Sequence, residues 1–327
     1  MSSSVPGPRP LPESQYDLTK YWGRVRHFAD ISDPRMLLTT SQDLTNARKL
    51  IKAYRNYELE TPTPQFWLAK RQLDSAVHPD TGNTILFPFR MSCCVLSNLI
   101  ITAGMLTPGL GTKGTLFWQW ANQSLNVAIN SANANKTQRM SSGQLLVNYI
   151  AAVSTSCGVA LGLNNLVPRL RRVSANTKLI LGRLVPFVAV VTAGVVNVGL
   201  MRSNEILEGI AVRDKDGDIV GTSKRAAMIA VGETAVSRVI NATPIMVIPP
   251  MVLLWLQRNV LRNKSAMVTN LVNIGLVAAT SFGVLPLALA VYPQVESARV
   301  DSLEPELRGK VDKNGDKIDT VFFNRGM

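Results

Sequence analysis

Besides the amide-rich segment 114–135, five long stretches of this chain contain no charged side chain: 91–112, 140–168, 184–201, 239–257 and 265–295. The shortest has 18 residues and the longest 31. A helix needs about 20 mostly apolar residues to cross the hydrocarbon of a bilayer. One such run suits a buried helix of a soluble core. Five point to five membrane crossings, at about 91–112, 144–167, 184–201, 239–257 and 271–292. The runs contain Gly, Ala, Ser and Pro rather than solid Leu, which lets helices approach closely in a bundle. Only 17% of the 327 residues are charged, against roughly 25% in an average soluble protein.

The charges that remain are 35 basic and 22 acidic, a net +13. An excess of this size serves nucleic acid or an anionic membrane surface. Here it collects in short loops. Residues 169–183 hold Arg169, Arg171, Arg172, Lys178 and Arg183 without an acid, and 258–264 hold Arg258, Arg262 and Lys264. With five crossings these loops share a side with the N-terminal arm. The positive-inside rule then places the N-terminus inside and the C-terminus outside. The Arg-Leu-Arg-Arg cluster at 169–172 suits anionic lipid heads, so the high charge needs no nucleic acid.

Outside the spans, residues 1–15 read as a disordered Pro/Ser tail and 16–90 as a polar helical arm. Leu44, Ala47, Leu50, Ile51 and Tyr54 recur at helical spacing, and Thr63-Pro64 opens a further helix through Trp67, Leu68 and Leu73. His78-Pro79-Asp80-Thr81-Gly82 reads as a turn or a helix cap. Residues 222–238 are helical by propensity and extend the fourth span, and 296–327 form a C-terminal tail. The start has no apolar core of a secretory signal.

Several motifs fail on context. Gly109-x-Gly111-x-x-Gly114 matches a dinucleotide fingerprint, but a span precedes it and no acid follows until Glu205. Asp214-Lys215-Asp216-Gly217-Asp218 begins like a calcium loop, yet Ile219 and Arg225 stand where glycine and the bidentate glutamate belong. Residues 312–316 fail in the same way and read instead as a hairpin turn before the apolar Val321-Phe322-Phe323 end. Cys93, Cys94 and Cys157 fall in spans and read as small apolar residues. No catalytic, metal or cofactor constellation stands out, which argues against an enzyme.

Segment 114–135 is uncharged but rich in amides. On a helix, Gln119, Asn122, Gln123, Asn126, Asn130 and Asn133 fall within an arc of about 100°. An unpaired amide in an apolar medium costs roughly 2–7 kcal/mol, so this face must meet water, protein or a ligand. Two readings stand: an interfacial helix with its amides in water, or an amphipathic or re-entrant helix lining a cavity for a small polar solute. Neutral amides both donate and accept, which suits a zwitterion. Asn241, Pro244, Pro249 and Pro250 remove backbone bonds from the fourth span, which reads either as the kind of broken helix that forms transporter sites or as a structurally tolerated kink.

The arm from Tyr21 to Leu38, the His78–Gly82 turn, the Gln119–Asn133 amide block, Ser237-Arg238 with Pro249-Pro250, and the tail Phe322-Phe323-Asn324-Arg325-Gly326 together resemble the sideroflexins. The resemblance runs in order over nearly the whole chain. The chain departs from the family pattern at Asn83 and at Asn130-Ser131. The resemblance implies a multi-pass carrier of the mitochondrial inner membrane, with its N-terminus in the matrix and its C-terminus in the intermembrane space. It implies transport of serine or related small neutral amino acids in support of one-carbon metabolism, with links to iron and haem homeostasis. The amide face itself makes the block, Gln119 to Asn133, the candidate substrate site, with the His78–Gly82, Ser237-Arg238 and Pro249-Pro250 positions gating or structural. A non-transporting inner-membrane scaffold or assembly factor is the alternative. The expected fold is an all-α membrane protein of about five transmembrane helices, with the polar arm and the amide-rich helix.

Overall fold

The computed structural model describes residues 4–31, 33–78, 82–90, 93–133, 142–293, 295–311 and 316–325. Their elements are α1 (Tyr21–Ile31), α2 (Ser41–Arg55), α3 (Pro64–Ala76), α4 (Cys94–Met105), α5 (Thr112–Asn133), α6 (Ser142–Arg169), α7 (Ala175–Met201), α8 (Ser203–Glu208), β1 (Ile210–Arg213), β2 (Ile219–Ser223), α9 (Lys224–Asn259), α10 (Ala266–Leu289), β3 (Val295–Arg299) and β4 (Thr320–Asn324). The fold is the expected helical one. Among the described residues, α6, α7, α9 and α10 are long and apolar enough to cross a membrane. Serine caps set the starts of three of them. Ser174, Ser223 and Ser265 each accept a backbone N–H three residues on, which satisfies a donor that the first turn leaves free. Outward-facing Ile150, Val195, Ile248 and Leu271 are exposed, as suits contact with lipid.

The first expected span divides differently. α4 has 12 residues, about 18 Å of helix, which is short of a hydrocarbon core about 30 Å thick. The chain then turns through Leu106–Gly111, where Gly109 takes φ +76°, open to glycine because it has no Cβ. α5 returns beside α4. Two bonds fix its direction against α6: Ser156 Oγ donates to Gln119 Oε1 at 2.6 Å, and the Ser124 and Tyr149 hydroxyls meet at 2.9 Å. The α6 partner moves back as α5 moves forward, so the two helices are antiparallel and side by side. α5 is therefore a member of the bundle, one more pass along its axis.

That extra pass changes where the termini fall. Arg258 of α9 bonds Asn176 of α7 at 2.9 Å, and Asn273 of α10 bonds the Leu106 carbonyl at 3.3 Å. These bonds gather the α4–α5 turn, the 169–183 segment and the 258–264 segment at one end. The basic residues there have no acid among them in 106–113, 169–183 or 258–264. At the other end, Tyr21 and Arg24 of α1 donate to the carbonyls of Leu287 and Ala290, at 3.0 and 2.9 Å, where α10 finishes. The arm thus sits at the tail's end of the bundle, not at the basic end. Five alternating crossings placed it with the basic loops; the pass through α5 moves it.

Within the arm, Leu44, Ala47, Ile51 and Tyr54 of α2 pack on Phe66, Ala69, Leu73 and Ala76 of α3. The start of α3 at Thr63-Pro64 is as expected, but its buried face runs through Phe66 rather than Leu68, which is 41% exposed. Residues 4–11, expected to be disordered, are tied to α2. Val5 is buried, Arg9 lies 4.0 Å over the Tyr54 ring, and Arg55 donates to the Gly7 carbonyl at 2.6 Å.

A small antiparallel sheet, in the order β2-β1-β4-β3, joins the segment before α9 to the tail. Its apolar side buries Val212, Val321 and Phe323 with Leu303 and Leu307 against Ala226 and Ala230 of α9. Glu304 locks the tail onto that helix. Its carboxylate accepts from Ser223 Oγ at 2.6 Å and from the Lys224 and Arg225 amides at 2.9 Å each. Burial pushes this carboxyl up, but the hydrogen bonds from Ser223 and the amides of Arg225 and Lys224 outweigh it and hold it below its usual range.

Glu304→Ala should cost about 1–3 kcal/mol, as for the loss of hydrogen bonds to a charged acceptor, seen as a lower thermal midpoint of the purified protein in detergent. The folded carboxyl titrates below the unfolded one, at about 4.3. The contribution is therefore complete above that pH and disappears as pH falls through the folded value. The gap between wild type and variant should close on acidification.

Candidate functional site

The α5 face that carries the amides turns inward. Thr115, Gln119, Asn122, Gln123 and Ile129 are buried and Asn126 is half-buried, while Phe117 and Trp120 on the opposite face are exposed. Asn130 and Asn133 occupy the same helix, and their side chains lie outside the described residues. Close packing against α4 holds this orientation. Trp118 lies against Gly104, where an added Cβ would meet the indole at 2.2 Å.

The inward amides are incompletely satisfied. Gln119 Oε1 accepts from Ser156, but Gln119 Nε2 and Asn122 Nδ2 are buried without a hydrogen-bond partner. Asn273 Oδ1 in α10 and Asn241 Oδ1 in α9 share that state. Each such group costs about 1–3 kcal/mol relative to a satisfied one. A polar solute with both donors and acceptors supplies what they lack.

One turn before Gln119, Thr115 lines a cavity of ≈ 260 Å³ at the basic end of the bundle. Its walls are the α4–α5 turn from Met105 to Leu110, Asn164 of α6, and Leu179, Gly182, Arg183 and Pro186 of α7. The segment that imitates a dinucleotide fingerprint begins in this turn, where Gly109 and Leu110 form part of one wall, and ends in the first turn of α5. Arg183 is the residue that charge-free runs could not reveal, because it served as a boundary of the third span. α7 instead begins nine residues before the expected start at 184, and Arg183 lies inside it. The signal was present in its neighbours, an apolar Leu-Ile-Leu-Gly before and Leu-Val-Pro after.

The remaining sequence candidates lie elsewhere. His78 and Gly82 close a tight turn after α3, with Gly82 N–H on the His78 carbonyl at 3.1 Å and His78 N–H on the Asn83 carbonyl at 2.9 Å. Arg48 of α2 donates to the Gly82 carbonyl at 2.5 Å, which ties the turn to the arm. Pro79, Asp80 and Thr81 lie outside the described residues. Ser237 and Arg238 are on α9, where Ser237 Oγ donates to the Thr234 carbonyl at 2.8 Å. Pro249 and Pro250 are buried in the same helix, which runs through them and through Pro244 without a break. None of these residues lines the cavity. Asp214 is a turn-former: its Oδ1 accepts from the Asp216 and Asp218 amides at 2.9 Å each. The 312–315 repeat lies outside the described residues. Among the described residues, no three His, Cys, Asp or Glu side chains converge to hold a metal.

Residues 10–327 match the family model of the sideroflexins. The chain is 66% identical to Sideroflexin FSF1 of Saccharomyces cerevisiae over all of both chains. It is 54% identical to Sideroflexin fsf1 of Schizosaccharomyces pombe over 97% of this chain and 98% of that one. It is 38% identical to human Sideroflexin-5 over 98% of this chain and 93% of that one. No solved structure matches.

The close approach of α4 and α5 yields a test of the site's scaffold. Gly104→Val should overpack against the Trp118 ring and cost about 1–3 kcal/mol, read as a lower unfolding midpoint in detergent. Gly158→Val faces open space and should shift that midpoint far less.

Proposed function

The chain belongs to the sideroflexin family, and from that premise we propose that it carries serine or a related small neutral amino acid across the mitochondrial inner membrane, supporting one-carbon metabolism. Sideroflexins are carrier-type membrane proteins, and the apolar helices make this chain a multi-pass one. The observation that carries the finer reading is the inward amide face of α5. Gln119 Nε2 and Asn122 Nδ2 are buried without partners inside a helical bundle. A serine molecule presents a carboxylate and a hydroxyl that accept from them, with an ammonium for amide carbonyls. Gln123, Asn126, Asn130 and Asn133 extend the same stripe along the helix.

Labelled L-serine uptake into liposomes carrying the purified protein tests this. Saturable uptake is expected from wild type. The Asn122→Leu variant, which leaves the Gln119–Ser156 bond in place, should insert, melt no lower than wild type, and lose uptake at least tenfold. Undiminished uptake in that variant would remove the stripe as the site. No uptake by folded wild type, for serine or any other small amino acid, would favour a scaffold built on the polar arm.

The sidedness also follows from charge. The positive-inside rule assigns the acid-free basic end to the matrix. The arm and tail would then both face the intermembrane space, opposite to the arrangement drawn from five crossings for the N-terminus. In mitoplasts, added protease should remove epitope tags from both termini. Protection of the N-terminal tag alone would restore the five-crossing arrangement.

A further inference from the structure

We propose that Arg183, together with the α7 backbone beside it, forms the subsite that anchors the substrate's carboxylate; this rests on the carrier reading above. An ionisable side chain within a transmembrane helix is costly, and such residues mark ligand or ion paths. Arg183 lies eight positions into α7, about 12 Å along the helix. It is half-buried and lines the ≈ 260 Å³ cavity. Among the described residues it makes no hydrogen bond or ion pair, in contrast to Arg202 of the same chain, which binds Glu205, Thr234 and the Arg325 carbonyl. No protein carboxylate is available either, because the basic end contains none. The anion that completes this guanidinium must come from outside the chain.

The surroundings select a small zwitterion over a bare anion. Pro186 lacks an N–H, so the Gly182 carbonyl loses its helical partner four residues on. Both residues line the same cavity as Arg183, and the position where Gly182 would carry a Cβ is open space. One short stretch of α7 therefore offers a fork of cationic donors and a free carbonyl acceptor, matched to a carboxylate and an ammonium. Thr115 and Asn164 add hydrogen-bonding groups for a polar side chain. At roughly 30 Å³ per water, the cavity has room for a solute of several heavy atoms. Thr115 also leads on: Gln119 and Asn122 follow it on the buried face of α5. The substrate is held by its carboxylate at Arg183 near the basic end and passes from there to the amides.

The test compares serine with serinamide, which keeps the ammonium and hydroxyl and lacks the carboxylate. Labelled serine uptake into liposomes is measured for wild type, Arg183→Gln and Arg183→Lys, with serinamide as competitor. Wild type should discriminate strongly against serinamide. Arg183→Gln should raise the KM for serine about ten- to a hundredfold, as for the loss of a charge-assisted bidentate contact, and should lose that discrimination. Arg183→Lys should retain part of both. If wild type takes up serine and serinamide competes as well as serine does, the subsite is overturned without use of any variant. The subsite is also overturned, with the carrier reading intact, if Arg183→Gln keeps the wild-type KM and discrimination; the guanidinium then meets a lipid phosphate instead. Absence of serine uptake in wild type would overturn the carrier reading and the subsite with it.

Discussion

In hydrocarbon no water is present to complete a polar group, so every amide, hydroxyl and backbone carbonyl at that depth has to be met by protein or by cargo. α5 is the element on which this requirement bears hardest. Its sequence places amides on one side and Phe117 and Trp120 on the other, and the structure turns the amides inward. The inward turn requires α5 to lie along α6, through Gln119–Ser156 and Ser124–Tyr149. A helix that lies along α6 adds a pass to the bundle, and that pass carries the arm to the tail's end. One local demand for hydrogen-bonding partners thus sets the positions of segments nearly 300 residues apart.

The same demand explains where the sheet is. Strand edges leave backbone groups exposed and cannot face lipid. α9 has 36 residues, about 54 Å of helix, well beyond the roughly 30 Å it needs to cross. Its first turns therefore emerge, and Ala226 and Ala230 give the four strands an apolar platform there. Glu304 reaches back to the same helix start and supplies the acceptor that its free amides need.

The helices were legible because length and the absence of charge are local properties. α6, α7, α9 and α10 follow the charge-free runs, and the buried face of α2 follows from its spacing. The sheet was legible only as a hairpin turn ahead of the apolar Val321-Phe322-Phe323 end, and its strand pairing was not. β1 pairs with β4 across more than 100 residues, through Arg213 and Phe322, and short strands of four or five residues carry little periodicity of their own. The α4–α5 turn was concealed differently. The stretch 91–112 is uncharged throughout, and only a short Pro108-Gly109 and Gly111 cluster marks the place where the helix stops. Arg183 was concealed because a charge within a span is indistinguishable, in the sequence alone, from a charge at its end. Pro249 and Pro250 left two readings open, a broken helix or a tolerated kink, and α9 continues through them: proline removes a hydrogen bond from a helix, but neighbouring helices can hold the helix straight enough to continue.

Stability and function pull apart at the centre of the bundle. Leu at position 122 would pack there without an unmet donor, and a bundle selected only for stability has no use for amides that lack partners. Arg183 poses the same problem more sharply, being a charge inside a helix at an end where the chain provides no acid. These groups are arranged in series, from the guanidinium through Thr115 to Gln119 and Asn122, from the basic end inward. A site whose polar groups are left incomplete by the protein binds most strongly the solute that completes them. On the proposed carrier reading, selectivity for a small zwitterion arises from the mismatch between what the helices hold and what they satisfy, and the stability forgone in the empty bundle is the source of that preference.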